Sequence, residues 1–270
     1  MRVKRLTGDP LAWVTVISTP IALVILWDVS IEVFKIPSFL MPPSQEVWES
    51  IVANRQALFL HGQVTLAETL IGFGLSVAIG IPLAMLIVLS KLLDRILNPI
   101  LVASQAVPKV ALAPLLLVLL GYGAAPKIIV ALLIAFFPVV VNTASGLRAV
   151  NRDTIKLMRS MGGSTWQIFT KVRFPTAVPH ILAGFKVAIA FAVVGAVVGE
   201  FVGSRTGLGY LMLSATGNFD TALVFACVMV LTAMGIALFY SISLLELVLG
   251  RFNRLSRMQQ PDEGFGAYGM

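Results

Sequence analysis

The chain has few of the residues from which catalytic and metal centres are built. Its 270 residues include one cysteine, two histidines and 13 acids. Cys227 lies in an apolar run, which excludes a disulfide framework and a thiolate metal cluster. His61 and His180 are far apart, and neither has a neighbouring set of His, Cys, Asp or Glu. Both read as interfacial polar residues, and no metal site is expected. There is no G-x-x-x-x-G-K-[ST] loop, so this chain cannot cradle nucleotide phosphates in that manner. Charge of either sign is scarce. Charged residues make up 12% of the chain, where soluble domains carry about 25%.

What is present is apolar. The hydrophobic fraction is 58% and the mean hydropathy is +0.93. A soluble fold of this length could not hide so much apolar surface behind so few charges, so the lipid bilayer is the solvent for much of the chain. The net charge of +7 then reflects basic loops rather than a nucleic-acid partner. No basic run is interleaved with aromatics in a polar region.

Runs of about 20 apolar residues predict an all-α bundle of six transmembrane helices: Leu11–Trp27, Leu66–Leu89, Ile96–Leu120, Ile128–Ser145, Ile181–Val202 and Leu223–Leu249. The first is too long for a secretory signal and lacks a small-residue cleavage site, so it is expected to be retained. With the N-terminus inside, fourteen basic residues fall on cytoplasmic segments. They are Arg2, Lys4, Arg5, Lys91, Arg95, Arg148, Arg152, Lys156, Arg159, Lys171, Arg173, Arg251, Arg254 and Arg257. Four fall outside: Lys35, Arg55, Lys127 and Arg205. The positive-inside rule therefore places both termini in the cytoplasm, as an even number of spans requires. Residues 1–258 are expected to form one transmembrane domain, and 259–270 a disordered cytoplasmic tail.

Between the first two spans, Pro37, Pro42 and Pro43 break the chain and Ser44 can cap a short helix. Val47, Trp48, Ile51 and Val52 then fall at helical spacing, giving a helix that lies at the outer interface or packs on the bundle. Within the spans, Gly195 and Gly199 form a GxxxG pattern that permits close helix approach. Prolines 82, 108, 114 and 138 imply kinks or breaks.

Ionisable and polar groups at membrane depth are costly and point to function. Gln105, Lys109, Asn142 and Glu200 are the candidates for a translocation path. For Gln105 and Asn142 the alternative is a helix–helix hydrogen bond, and Glu200 alternatively reaches water at the outer end. Lys186 is expected to snorkel to the inner interface, and Glu68 to have a structural role.

The stretch RAVNRDTIKLMRSMGGSTWQIFTKVRFPTAVP, beginning at Arg148, is a basic interruption in this apolar chain. Leu157, Met158 and Met161 share one helical face, and Gly162-Gly163 ends that helix. Ser164 can cap a second short helix carrying Trp166, Ile168 and Phe169. Pro175 and Pro179 precede the fifth span. Such a knob suits docking to a cytosolic partner, or rests on the inner leaflet.

Here the sequence resembles the permeases of binding-protein-dependent ABC importers. Their cytoplasmic signature is Glu-Ala-Ala, three residues, Gly, nine residues, Ile-x-Leu-Pro. Gly162 takes the glycine position, and Val172-Arg173-Phe174-Pro175 the last four. The stretch Ser164 to Phe169 is similar to the nitrate/sulfonate/taurine branch. Further similarities lie at Thr65-Leu66 with Gly72-Phe73, at Pro108-Lys109 with Ala111 to Leu115, and at Glu200-Phe201 with Gly207 to Tyr210. Two positions depart from the pattern. Lys156-Leu157-Met158 replaces Glu-Ala-Ala, and Glu68 stands where the branch usually has a base.

The resemblance implies a type I permease fold in a bacterial inner membrane, working as one half of a pair, most simply a homodimer. A cytosolic ATPase dimer would bind the coupling region, about 148–179, through Lys156, Leu157, Met158, Met161, Gly162, Ser164, Trp166, Phe169 and Pro175. That partner would use the ATP and magnesium; this chain would bind no cofactor and catalyse nothing. An extracytoplasmic binding protein would deliver a small anion, a sulfonate or a heterocyclic vitamin precursor. Lys109 facing a pore would favour an anion. The rival class, an ion-coupled secondary transporter or channel, would need intramembrane carboxylates and leave the 148–179 loop unexplained. A membrane-embedded enzyme would need a nucleophile, paired carboxylates or a metal set at membrane depth.

The topology has a direct test. A reporter fused after Met258 should be active only in its cytoplasmic form; activity confined to the outer side would overturn it.

Overall fold

A computed structural model describes residues 10–252, and every regular element among them is helical. The expected tail at 259–270, like the basic residues Arg2, Lys4, Arg5, Arg254 and Arg257, lies outside the described residues. The helices are α1 (Pro10–Phe34), α2 (Ser44–Ala53), α3 (Arg55–Leu89), α4 (Lys91–Gln105), α5 (Leu112–Leu120), α6 (Ala124–Arg148), α7 (Arg152–Ser160), α8 (Thr165–Ile168), α9 (Phe174–Gly203), α10 (Leu208–Gly217) and α11 (Thr221–Phe252).

Four stretches are long and apolar enough to cross a membrane: α3, α6, the run Thr165–Gly203, and Thr221–Val248 of α11. A fifth is broken. The stretch expected as one span from Ile96 to Leu120 is instead α4 followed by Lys109–Leu120, bent by 76°. Pro108 explains the break: it has no N–H to continue α4, and its ring forces Val107 out of the helical region. Pro82 and Pro138, by contrast, lie inside unbroken helices. Pro114 sits in the first turn of α5, where no N–H is needed. The expected six spans therefore amount to four intact spans and one broken one among the described residues. The 25-residue α1 additionally covers the run Leu11–Trp27.

Helix ends also move. The second span begins at Arg55, well before Leu66. The fifth begins at Thr165, because α8 passes through a π-helical turn, Phe169–Arg173, into α9 without interruption. Pro175 lies in the first turn of α9, where the ring's clash with the preceding carbonyls favours a widened turn. Instead of two short helices before the fifth span, there is one short helix and one very long one.

α6 packs most extensively on α9 and next on α3. Small residues set these approaches. A Cβ on Gly195 would fall 2.5 Å from Ala131 Cα, and one on Gly199 2.7 Å from Lys127 Cα. The GxxxG pattern of α9 thus lies directly against the α6 backbone. Apolar cores form around Ala135, Val139, Ala188 and Ala192, and around Leu147, Phe169, Ala177 and Ile181.

α2 is held differently from the expectation. Ser44 is its first residue rather than its cap. The Ser44 amide and hydroxyl donate to Asp28 of α1, at 2.9 and 2.5 Å, so a carboxylate from a neighbouring helix serves the N-terminus. Val47 is fully buried against Leu58, Leu208 and Cys227, while Trp48 and Val52 face away from the protein. Lys186 does not snorkel freely: it pairs with Glu246 of α11 at 2.5 Å.

The α6–α9 contact yields a stability prediction. Gly195→Ala should cost about 1–3 kcal/mol through overpacking and lower the melting temperature of the detergent-solubilised protein. Gly74→Ala, where a Cβ meets no atom within 4 Å, should leave it unchanged.

Candidate functional site

Three of the four residues expected on a translocation path come together. Gln105 from the end of α4, Lys109 from the turn after the break, and Asn142 from α6 line one cavity of about 400 Å³. Phe137, Pro138, Val187 and Phe191 also line it. The Lys109 ammonium stands 4.4 Å from the Phe137 ring centroid, a cation–π contact. Asn142 donates to the Pro138 carbonyl at 2.8 Å within its own helix. The Pro108 break is what turns Lys109 toward α6. The wall thus carries one cation, two amides and two aromatic rings, and no carboxylate.

Glu200 belongs elsewhere. It is 1% exposed and does not reach water. Its Oε1 accepts from the Thr65 hydroxyl at 2.7 Å and its Oε2 from the Gly209 amide at 2.6 Å. Leu208 donates its amide to Thr65 Oγ1 at 2.8 Å, and Gly207 to His61 Nδ1 at 3.0 Å. Three successive amides at the start of α10 are therefore satisfied by side chains of α3 and α9, as orphan helix-terminal donors require. The Gly207-Leu208-Gly209 pattern follows from this. A Cβ on Gly207 would sit on the Glu200 carboxylate, and its φ of +106° disfavours any L side chain. His61 accepts from the Gly207 amide and lies beside the Tyr210 ring.

Beside this cap lies a feature invisible in the sequence. Lys127 of α6, expected in an outside loop, is 5% exposed and forms an ion pair with Glu68 of α3, which is 3% exposed. Lys127 also donates to Ser204 Oγ at 3.1 Å. The acid at position 68, a departure from the family pattern, is thus matched by a buried base on the adjoining helix. Nothing in the local sequence links residues so far apart. The available signal was an acid inside a span with no compensating charge within a helical turn.

At the opposite end, the loop between α6 and α9 is a built shape. α7 ends in a Schellman motif: the Gly163 amide donates to Met158 O at 2.9 Å and that of Gly162 to Arg159 O at 3.0 Å. Gly162 has φ +80°, and no atom lies within 4 Å of where its Cβ would be. Backbone conformation, not crowding, selects glycine there. The close approach falls on Gly163, whose Cβ would meet Met158 O at 2.7 Å. Ser164 and Gln167 form a capping box at α8.

The side chains of the loop divide in two. Phe169 is buried with Leu147, Ala177 and Ile181, Met158 is half-buried, and Pro175 sits partly buried at the start of α9. Leu157, Met161 and Trp166 are 60%, 75% and 67% exposed. Trp166 stacks on Phe169, with centroids 5.7 Å apart. Lys156 pairs with Asp153 at 3.0 Å in the open, an interaction worth under about 1 kcal/mol.

The buried pair is open to test by stability. Lys127→Met should cost about 3–5 kcal/mol by stranding the Glu68 charge, while Glu68→Met with Lys127→Met should recover most of that. Thermal denaturation of the purified variants measures both.

Residues 76–254 match the family described as binding-protein-dependent transport system inner membrane component. The chain is 37% identical over 227 residues to the formylaminopyrimidine transport permease protein ThiX of Halalkalibacterium halodurans, covering 84% of this chain and 91% of that one. It is 28% identical over 226 residues to the putative aliphatic sulfonates transport permease protein SsuC of Bacillus subtilis, covering 83% and 82%. Among solved structures, it resembles a chain of the inward-facing MetNI methionine ABC transporter with a TM-score of 0.54 at 22% identity, covering 67% of this chain and 93% of that chain. The last likeness concerns the fold alone. This chain therefore belongs to the binding-protein-dependent transport system inner membrane components, as a multi-pass, non-catalytic permease subunit of an ABC transporter.

Proposed function

We propose that this permease moves its cargo inward, driven by a separate cytosolic ATPase that seats on residues 152–174. The observation that carries the proposal is the exposed apolar knob. Leu157, Met161 and Trp166 are exposed on a backbone locked by a Schellman turn and a capping box. Burying three such side chains against a partner releases on the order of 1.5–3 kcal/mol each. A leaflet-resting segment would need no such fixed corner.

The same loop is mechanically continuous with the bundle. Thr165–Gly203 is a single 39-residue helical run, about 58 Å long at 1.5 Å per residue. Displacement of Trp166 by an ATPase would therefore be felt at Glu200, near the other end. With the knob on the ATPase side, both termini lie in the cytoplasm, and the α6, α9 and α10 ends around Glu200 face the binding protein. The Gln105–Lys109–Asn142 cavity is one wall of the path, and a second copy of the permease supplies the other. ATP and magnesium are held by the ATPase. The names of the relatives point to a heterocyclic vitamin precursor or a sulfonate as cargo.

Coupling should depend on the conformation of Gly162. Gly162→Val places a β-branched residue at φ +80°, which costs about 1–2 kcal/mol or more. Reconstituted with its ATPase and binding protein, this variant should lose uptake and substrate-stimulated ATP hydrolysis together, at normal membrane abundance. Gly162→Asn, which tolerates that φ, should retain both. Trp166→Ala should weaken ATPase docking by about 2 kcal/mol, roughly thirty-fold. Wild-type uptake and stimulation in Gly162→Val would remove the loop as the transmission element.

A further inference from the structure

Two buried acids face one buried base where α3, α6 and α9 meet, at the end of the bundle remote from the coupling loop. Glu68, Glu200 and Lys127 are all buried. Lys127 pairs with Glu68 Oε1. Glu68 Oε2 is also buried and takes no hydrogen bond from a donor among the described residues. It lies instead within hydrogen-bonding reach of the Glu200 carboxyl. Two carboxylates cannot bond to one another, because an ionised carboxyl only accepts.

The charges do not balance either. Among the described residues no second cation pairs with Glu68 or Glu200. His61 accepts the Gly207 amide at Nδ1, so that nitrogen carries no proton and the ring is neutral. Arg205, on the wall of the adjoining cavity, is exposed. Two carboxylates against one ammonium would leave a net negative charge out of water, and buried acid pairs avoid that by retaining a proton.

We infer that Glu68 and Glu200 share one proton, and that this proton joins α9 to α3. A protonated carboxyl has one O–H donor and keeps its acceptor capacity. Glu200 can therefore donate to Glu68 Oε2 while still accepting from the Thr65 hydroxyl and the Gly209 amide. A hydrogen bond between an acid and a carboxylate is charge-assisted, shorter and stronger than one between neutral groups. It completes a chain of contacts from Lys127 of α6 to Glu68 of α3, on to Glu200 of α9, and so to the first turn of α10. Glu68, which stands where related permeases usually have a base, is what makes the count unequal. Glu200 lies near the end of the 39-residue run that begins at the coupling loop. Drawing α9 away from α3 at this end would part the acid from its carboxylate, so the shared proton is a latch on that movement. The inference is independent of what the permease carries.

The test counts protonated carboxyls in the full-length permease near neutral pH. The readout is the infrared C=O stretch of the acid form, recorded in a detergent without ester groups. The wild type should show one such group. Glu200→Gln and Glu68→Gln should each show none, because either substitution leaves one acid for one base. Glu200→Gln should also keep the wild-type melting temperature. Its amide reproduces the protonated acid, with an N–H for Glu68 Oε2 and a carbonyl for Gly209. Should Glu68→Gln fail to fold, Glu68→Asp takes its place. That variant keeps the charge, so the band should persist, moved to higher wavenumber as the hydrogen bond to Glu200 lengthens. Absence of the band in the wild type, its survival in Glu68→Gln, an unchanged wavenumber in Glu68→Asp, or a lowered melting temperature in Glu200→Gln would overturn the inference.

Discussion

The closeness of α6 and α9 is the constraint on which the rest of the structure depends. In a bilayer no hydrophobic force pulls two apolar helices together, so packing must do it, and packing needs small residues at the contact. Gly184, Gly195 and Gly199 of α9 each abut α6, against Asn142, Ala131 and Lys127 in turn. Those three contacts span the helix pair from one polar cluster to the other. Asn142 belongs to the cavity with Gln105 and Lys109, and Lys127 to the buried pair with Glu68. If the helices stood a methyl group further apart, Lys127 would gain room for water and the Asn142 wall would lose its floor.

Charge at membrane depth is tolerated here only where this scaffold provides partners. Lys127 meets Glu68, Lys186 meets Glu246, and Glu200 is bonded to a hydroxyl and a backbone amide. Lys109 is the exception among these, with an aromatic face in place of an anion. A cation so held can still attract a passing ligand, whereas the paired groups are committed. Glu200 shows the other use of charge, which is to terminate a helix. The α10 N-terminus receives acceptors from α3 and α9, so three helices meet at one cap.

The loop between α6 and α9 obeys a different logic, because both its ends are anchored and its middle is not. Phe169 is packed beneath Trp166, and the π-helical turn carries the chain on into α9. Leu157 and Met161 are left exposed by the described residues. The knob is joined directly to a helical run of 39 residues.

Much of this was legible in the sequence for reasons of composition and periodicity. Apolar runs longer than a bilayer is thick must become helices that satisfy their own backbone groups, and Gly162, Ser164 and the following apolar residues dictate a turn and a cap through local chemistry alone. The GxxxG of α9 was likewise written in residue type, whereas the prolines named only where a break could fall, and the chain breaks at Pro108 but not at Pro82 or Pro138. The tertiary structure decided what no local rule contains. That Glu68 and Lys127 form one pair, that Glu200 accepts from a hydroxyl and a backbone amide, and that Gln105, Lys109 and Asn142 share one cavity all depend on which faces of α3, α6 and α9 are turned together. Thr65 and Glu200 bond across 135 positions of chain, and a hydrogen bond of that span has no signature in either neighbourhood. Helix propensity and hydrophobicity act over a few residues, while the pairing of buried polar groups acts through space, and only the packed bundle brings them within reach.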